Sequence, residues 1–230
     1  MTLHKLAGMA LAGGVILASI SSATVAKVLV VRSLGPSAKA YPPGKALADT
    51  SSIKLNSGDS VTLLGPSTSR TLRGPGTFSA STTDRSSLAS AAGRRSRFGA
   101  MRSGEITTKP GLWDVDVTQS GKMCIAEPAK LKLWRPNADT PATLSVSGGP
   151  SPQSIAFAEG HATVPWPAEL PVADGGQYQL QWAGGGDRNT VSFVMVKAPL
   201  GDLVDAAQLL IDKGCQNQLD LLISSADKGE

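Results

Sequence analysis

Short runs in which apolar and polar residues alternate, separated by glycine and proline, constrain this fold more than any other feature. In residues 177–182, three glutamines alternate with Tyr178, Leu180 and Trp182. Successive side chains of a β-strand point to opposite faces, so this pattern is typical of a strand with one buried face. The 230 residues include 25 glycines and 15 prolines, and this content of turn-forming residues argues against an all-helical protein.

Similar runs recur throughout residues 105–198. In residues 112–118, a tryptophan and two valines alternate with polar side chains. Residues 190–196 carry apolar side chains on both faces, which predicts a central strand that is covered on both sides. Several short strands joined by turns predict an antiparallel β-sandwich of the immunoglobulin-like type.

A smaller β module is predicted for residues 27–78. Its β-branched run at residues 28–31 is typical of a strand. Further short runs follow at residues 53–55, 60–64, 70–73 and 77–78, with turns between them. The expected fold class is therefore mainly β.

Part of this module resembles a known family. The stretch LNSGDSVTL at residues 55–63, followed by TLRGPGTF at residues 71–78, resembles FecR-like periplasmic domains. In that family, a G-x-x-V-x-L strand precedes a turn and an L-x-G-P-like strand. The resemblance implies a bacterial envelope protein with a binding or signalling-accessory role, and no site residues carry over from it.

The first 26 residues have the layout of a secretory signal peptide. Lys5 precedes an uncharged stretch, residues 6–26, that is rich in alanine, leucine, valine and isoleucine. Cleavage needs small side chains at the last and third-last positions, and residues 24–26 or 21–23 would serve. An uncleaved membrane anchor is the alternative. Either reading predicts export to the periplasm or the extracellular space, with membrane contact only through this segment.

The presence of two cysteines, Cys124 and Cys215, is consistent with an exported protein. In an oxidising compartment, an even pair without metal-ligand spacing predicts a disulfide. Two unpaired buried thiols are the alternative. A zinc site is not expected, because His161 is the only histidine after the predicted signal peptide.

Residues 199–230 change to a helical period. Leu200, Leu203, Val204, Ala207 and Ile211 fall on one helical face, and Gly214 is a suitable stop. A second short helix is expected around residues 219–223. Cys215 would follow the first helix, so a bond to Cys124 would tether this helical tail to the sandwich.

Residues 79–104 are expected to form a flexible linker that is rich in serine and threonine. The chain has a formal net charge of +4, and its excess positive charge lies in this segment, which holds five arginines against one acidic residue. Arg94, Arg95, Arg97 and Arg102 are candidates for contact with an anionic partner, and an ordinary solvated linker is the alternative. Nucleic acid is not the expected partner, because only Phe98 interleaves the arginines.

No catalytic, cofactor-binding or metal-binding residues are predicted. No G-x-S-x-G surrounds any serine, and His161 is expected in an exposed turn. The glycines at 184–186 are not followed by the lysine of a phosphate loop, so a hairpin turn is expected there. Asp114 and Asp116 could form a carboxylate pair or bind a hard cation, but a solvated outer sheet face is the preferred explanation. Trp134 and Trp166 are the tryptophans expected to be exposed for partner contact.

These patterns predict a non-enzymatic, exported envelope protein with a binding or signalling-accessory role and no cofactor. Its partner would be an envelope protein or a glycan. One alternative is an enzyme that acts on an envelope polymer through Asp114, Asp116 or Glu159. The other is a structural envelope protein without a dedicated ligand.

Overall fold

The computed structural model describes residues 27–82, 109–197 and 201–226. The predicted signal peptide, residues 1–26, lies outside the described residues. So do Arg94, Arg95, Arg97 and Arg102, with most of the predicted linker. Their assignments remain predictions.

The N-terminal β unit consists of two small antiparallel sheets. Its strands are β1 (Lys27–Leu34), β2 (Ala46–Ala48), β3 (Ser52–Leu55), β4 (Ser60–Leu64), β5 (Ser69–Arg73) and β6 (Gly76–Ser79). One sheet has the order β2-β1-β4-β5, and β3 pairs with β6 in the other. Val28, Val30, Ile53, Val61 and Leu63 belong to the apolar cluster of this unit. The strands expected here from the short apolar runs are confirmed, and β2 is a further strand that these runs do not predict.

The second unit is the predicted β-sandwich. Its strands are β7 (Val115–Asp116), β8 (Gly121–Ile125), β9 (Lys132–Trp134), β10 (Ala142–Ser147), β11 (Gln153–Phe157), β12 (Thr163–Pro165), β13 (Gln177–Trp182) and β14 (Asn189–Met195). A five-stranded sheet of order β11-β10-β13-β14-β8 packs against a three-stranded sheet of order β12-β9-β7. Most pairings are antiparallel, but β14 with β8 and β7 with β9 are parallel.

Strand β14 has the central position that its sequence predicts. It lies between β13 and β8. Val191 and Phe193 face the sandwich core, whereas Val194 and the adjacent Val196 pack against a second apolar cluster on the other side of the sheet. An interior strand covered on both faces explains why both of its faces are apolar.

That second cluster is built on the predicted helical tail, α1 (Leu203–Lys213) and α2 (Gln216–Ala226). The Asp202 side chain caps α1 by accepting hydrogen bonds from the backbone N–H groups of Val204 and Asp205. Gly214 ends α1 in the left-handed conformation, with φ of 74°. Neither described helix is long and apolar enough to cross a membrane.

The helical tail contacts both β units. Leu29, Val31 and Leu64 of the N-terminal sheet share one cluster with Leu210 of α1 and Leu222 of α2. The sequence predicts packing only onto the sandwich, so contact with the N-terminal sheet is a new finding. Strand β1 is consequently buried on both faces, which accounts for its unbroken apolar run at residues 28–31.

Candidate binding cleft

A cleft of about 410 Å³ opens between α2, the segment that leads into β7, and the start of β8. Leu112, Val115, Met123 and Leu221 contribute apolar lining. Sites for small ligands typically enclose about 300–1,000 Å³. The cleft, hereafter the α2 cleft, is therefore large enough for a small ligand or for part of a polymer.

The disulfide between Cys124 and Cys215 fixes the helical wall of this cleft. Cys124 lies in β8 and Cys215 directly precedes α2, with 5.9 Å between their Cα atoms. Both residues are fully buried. The predicted pairing is confirmed, and it attaches the helical tail to the sandwich at the start of α2.

Two side chains of the first turn of α2 add a polar attachment. Gln218, only 3% exposed, accepts a hydrogen bond from the Cys124 N–H at 2.7 Å. Its amide nitrogen donates to the carbonyl oxygens of Cys124, at 3.0 Å, and Leu112, at 2.9 Å. The Asn217 amide donates to the Ser120 carbonyl at 3.0 Å. These bonds cover the outer edge of β8, which would otherwise present unpaired backbone groups.

Charged side chains of both signs line the cleft. Asp114, Asp116 and Asp220 are acidic, and Lys109 and Lys122 are basic. Asp220 also forms an ion pair with Arg32 of β1 at 2.5 Å, so the N-terminal unit contacts a residue of the cleft wall. Both partners are about half exposed, and solvent screening limits what such a pair adds to stability.

Asp114 and Asp116 line the same cleft, as their predicted common face suggests. Asp114 accepts a hydrogen bond from the Gly111 N–H at 2.8 Å. Asp116 accepts from the N–H and hydroxyl of Thr118 at 2.9 and 2.7 Å, through a single carboxylate oxygen. Within the described residues, no three His, Cys, Asp or Glu side chains gather to hold a metal ion.

The expectation that Trp134 and Trp166 are exposed is wrong. Trp134 is only 4% exposed, although it belongs to the cleft lining. Trp166 is 8% exposed, and its indole N–H donates to the Leu170 carbonyl at 3.0 Å. Its ring packs edge-on against Tyr178 and Phe193. Trp166 lies between two prolines, a context typical of an exposed loop, but this loop folds the ring into the core.

Other residues considered for chemistry lie away from the cleft. His161 is exposed, as expected, and its Nδ1 lies 3.0 Å from the Glu159 carbonyl oxygen. Neither His161 nor Glu159 lines the cleft. The glycines at 184–186 lie between β13 and β14, which confirms the predicted hairpin connection.

No family model, curated protein or solved structure matches this chain. The FecR-like resemblance therefore remains a prediction based on residues 55–63 and 71–78. In the structure, the turn between β3 and β4 within the first of these stretches is organised by the buried carboxylate of Asp59.

Asp59 connects two parts of the N-terminal unit. Its carboxylate accepts hydrogen bonds from the Ser37 hydroxyl at 2.5 Å and the Ser37 N–H at 3.0 Å. It also accepts from the Asn56 N–H at 2.5 Å. Hydrogen bonds to an ionised carboxylate stabilise the charged form, so those from Ser37 above all hold the pKa of Asp59 below its ordinary value of 3.8.

Arg135 is a buried charged residue that its local sequence does not reveal. It is 3% exposed and donates hydrogen bonds to the carbonyls of Thr140, Ala158 and His161 at 2.8–3.1 Å. Its guanidinium also lies 5.1 Å from the centre of the Phe157 ring. An arginine in the Trp134-Arg135-Pro136 sequence carries no pattern that distinguishes it from a surface residue, and its role depends on loops brought together by the fold.

Proposed function

We propose that this protein is an exported binding protein of the bacterial cell envelope, and that the α2 cleft holds a hydroxyl-rich segment of an envelope glycan without catalysing a reaction. The cleft carries this proposal. It combines a volume of about 410 Å³ with apolar walls and polar side chains from three separate segments.

The polar groups of the cleft suit a ligand rich in hydroxyls. A hydroxyl both donates and accepts hydrogen bonds. The Asp114 and Asp116 carboxylates offer acceptors, Lys122 offers donors, and the side chain of Gln119 offers both. The apolar lining, to which Leu112 and Leu221 contribute, can pack against the carbon-bound faces of sugar rings.

Two further observations support binding outside the cytoplasm. The buried disulfide fits an oxidising compartment. It also fixes the start of α2, so one wall of the cleft is held in place before a ligand arrives, which reduces the ordering cost of binding. The sequence of residues 1–26 predicts the export that this role requires.

Co-sedimentation with purified peptidoglycan sacculi tests the proposal, using a chain that begins at residue 27 and keeps its disulfide. Ser224 lines the cleft, and its hydroxyl donates to the Leu221 carbonyl. Ser224→Phe places a ring into the cleft and is expected to reduce the bound fraction at least about tenfold.

Ser225→Phe is the matched control. Ser225 makes the same type of bond, to the Leu222 carbonyl, but does not line the cleft. Its substitution is expected to leave sedimentation unchanged. Equal binding by both variants, equal loss by both, or no binding by the unsubstituted protein contradicts the proposal.

A glycan-cleaving enzyme is the second candidate, because Asp114 and Asp116 line one cleft and paired carboxylates carry out glycoside hydrolysis. Incubating sacculi with the protein and measuring soluble reducing ends separates the two functions. The binding proposal predicts no release above that of a D114N/D116N variant. Release that disappears in this variant would establish the enzymatic function.

A further inference from the structure

Among the described residues, strand β11 pairs only with β10 and forms one edge of the five-stranded sheet. The direction of its backbone groups follows from the register. The Thr143 carbonyl of β10 accepts a hydrogen bond from the Ala183 N–H, so the backbone groups of Thr143 point toward β13. The backbone groups of the next residue, Leu144, therefore point toward β11. Leu144 is opposite Ile155, and backbone groups alternate in direction along a strand. The N–H and C=O groups of Ser154 and Ala156 therefore point outward from the sheet.

This edge lacks the protection found on the other long edges of the described chain. Edge strands usually carry charges, prolines or covering groups that prevent pairing with another chain. Among the described edge strands of five residues, β5 carries Arg70 and Arg73, and β8 is covered by Asn217 and Gln218. Strand β11 has the sequence QSIAF, with neither charge nor proline. Its Ser154 and Ala156 side chains are small and exposed.

We propose that a second copy of this chain pairs with β11, through an antiparallel contact whose two-fold axis passes beside Ile155. Ser154 of each copy then lies opposite Ala156 of the other. Their outward N–H and C=O groups form two reciprocal pairs, which gives about four new backbone hydrogen bonds. The two five-stranded sheets join into one continuous sheet.

An antiparallel pairing centred on Ile155 is two-fold symmetric, and this symmetry favours a second copy as the partner. Ile155 directs its own backbone groups toward β10, so it meets the partner's Ile155 as a non-hydrogen-bonded pair, in which side chains approach most closely. Ile155 is partly buried against the sandwich core, and this contact covers more of its apolar surface. No like charges meet, because the strand is uncharged. Pairing of an edge with itself closes after two copies.

Disulfide trapping tests the register. Cα atoms of a non-hydrogen-bonded pair lie about 4.5 Å apart, within the range that a disulfide spans. Ile155→Cys is expected to give a covalent dimer under mild oxidation. Ser154→Cys is the control. Ser154 is more exposed than Ile155, but in the proposed dimer the two Ser154 residues lie diagonally across the two-fold axis and not opposite one another. Random collisions would cross-link Ser154→Cys at least as fast as Ile155→Cys, and that result would overturn the proposal.

Sedimentation velocity tests the interface without an added cysteine, from about 1 to 300 μM protein so that weak association is detected. The unsubstituted protein is expected to dimerise. S154K/A156K places lysines opposite one another and is expected to raise the dimer Kd at least about tenfold. Q177K/Q179K, on exposed positions of the interior strand β13, is expected to leave Kd unchanged.

Thermal unfolding of each variant shows whether the monomer fold is retained. A monomer throughout the concentration range overturns the proposal, as does equal weakening by the two double variants.

Discussion

Gln218 occupies the position of a neighbouring strand beside Cys124. Its side-chain amide accepts from the Cys124 N–H at 2.7 Å and donates to the Cys124 carbonyl at 3.0 Å. An amide side chain thus reproduces the pairing of a peptide group at the edge of β8. The disulfide joins the side chain of the same Cys124 to Cys215, three residues before Gln218. Both polar backbone groups and the side chain of Cys124 therefore fix the start of α2.

Replacing Gln218 tests this attachment. Gln218→Leu leaves the buried N–H and carbonyl of Cys124 without their partner, and each buried unsatisfied group costs about 1–3 kcal/mol. We expect the free energy of unfolding to fall by about 3 kcal/mol in urea denaturation. Gln216→Leu is the control, because Gln216 is exposed and bonds the Asp220 side chain. A similar loss for both variants would contradict the role of Gln218.

Removing the disulfide is expected to destabilise the protein strongly. Cys124 and Cys215 are separated by 91 positions, and chain-entropy arithmetic for a loop of this length gives about 4–5 kcal/mol. We expect C124A/C215A to unfold at a much lower urea concentration than the oxidised protein. A change below about 1 kcal/mol would show that the remaining contacts of α2 suffice without the bond.

Arg135 is expected to hold the loops around it. Arg135→Met removes three hydrogen bonds to backbone carbonyls and should lower the free energy of unfolding by about 2–4 kcal/mol. Arg188→Met is the comparison, because Arg188 is exposed and bonds only the side chain of Gln181 among its described hydrogen bonds. Its expected change is under about 0.5 kcal/mol. Thermal denaturation of both variants measures the difference.

The hydrogen bonds of Asp59 predict how the stability of the protein changes at acidic pH. Its pKa is below 3.8 in the folded protein, chiefly because of the Ser37 hydrogen bonds, whereas the unfolded carboxyl titrates near 3.8. The ionised carboxylate therefore contributes its full stabilisation above pH 3.8. That contribution is lost as the pH falls from 3.8 through the folded pKa, since only the unfolded state takes up the proton in this interval.

Urea denaturation across this pH range measures the effect. Asp59→Asn is expected to be less stable at pH 7 and to lose less stability on acidification than the unsubstituted protein. Asp139→Asn, which also removes one carboxyl but at an exposed position, is the comparison variant. Parallel pH curves for the Asp59→Asn variant and the unsubstituted protein would contradict the account.

The sequence predicts the elements of this fold better than their assembly. Local patterns suffice to predict β13 and α1, because alternation in a strand and helical spacing in a helix each reflect burial of a single face. They also suffice for β14, whose two apolar faces match the two clusters around it. The apolar run of β1 predicts a buried strand, but it does not identify the helices that cover one face.

The α2 cleft is harder to predict from the sequence than the strands are, because its walls come from distant parts of the chain. Asp114 and Asp116 are recognisable as polar residues on one face, but the opposite wall comes from α2, about a hundred positions later in the chain. Gln218 looks like an ordinary surface residue in a short helix, because its hydrogen-bond partners are distant backbone groups. Trp134 shares a strand face with Lys132, and Trp166 lies between two prolines; these local features indicate exposure and do not reveal that the fold buries both rings.

Hydrogen–deuterium exchange with and without soluble peptidoglycan fragments tests the central claim most directly, because it locates the ligand on the folded chain. The account predicts slower exchange in residues 109–123 and 216–224, which form most of the α2 cleft. It predicts no comparable change in β3 or β6. Saturating fragments that leave the exchange of both cleft segments unchanged, or that protect only residues 83–108, would contradict it.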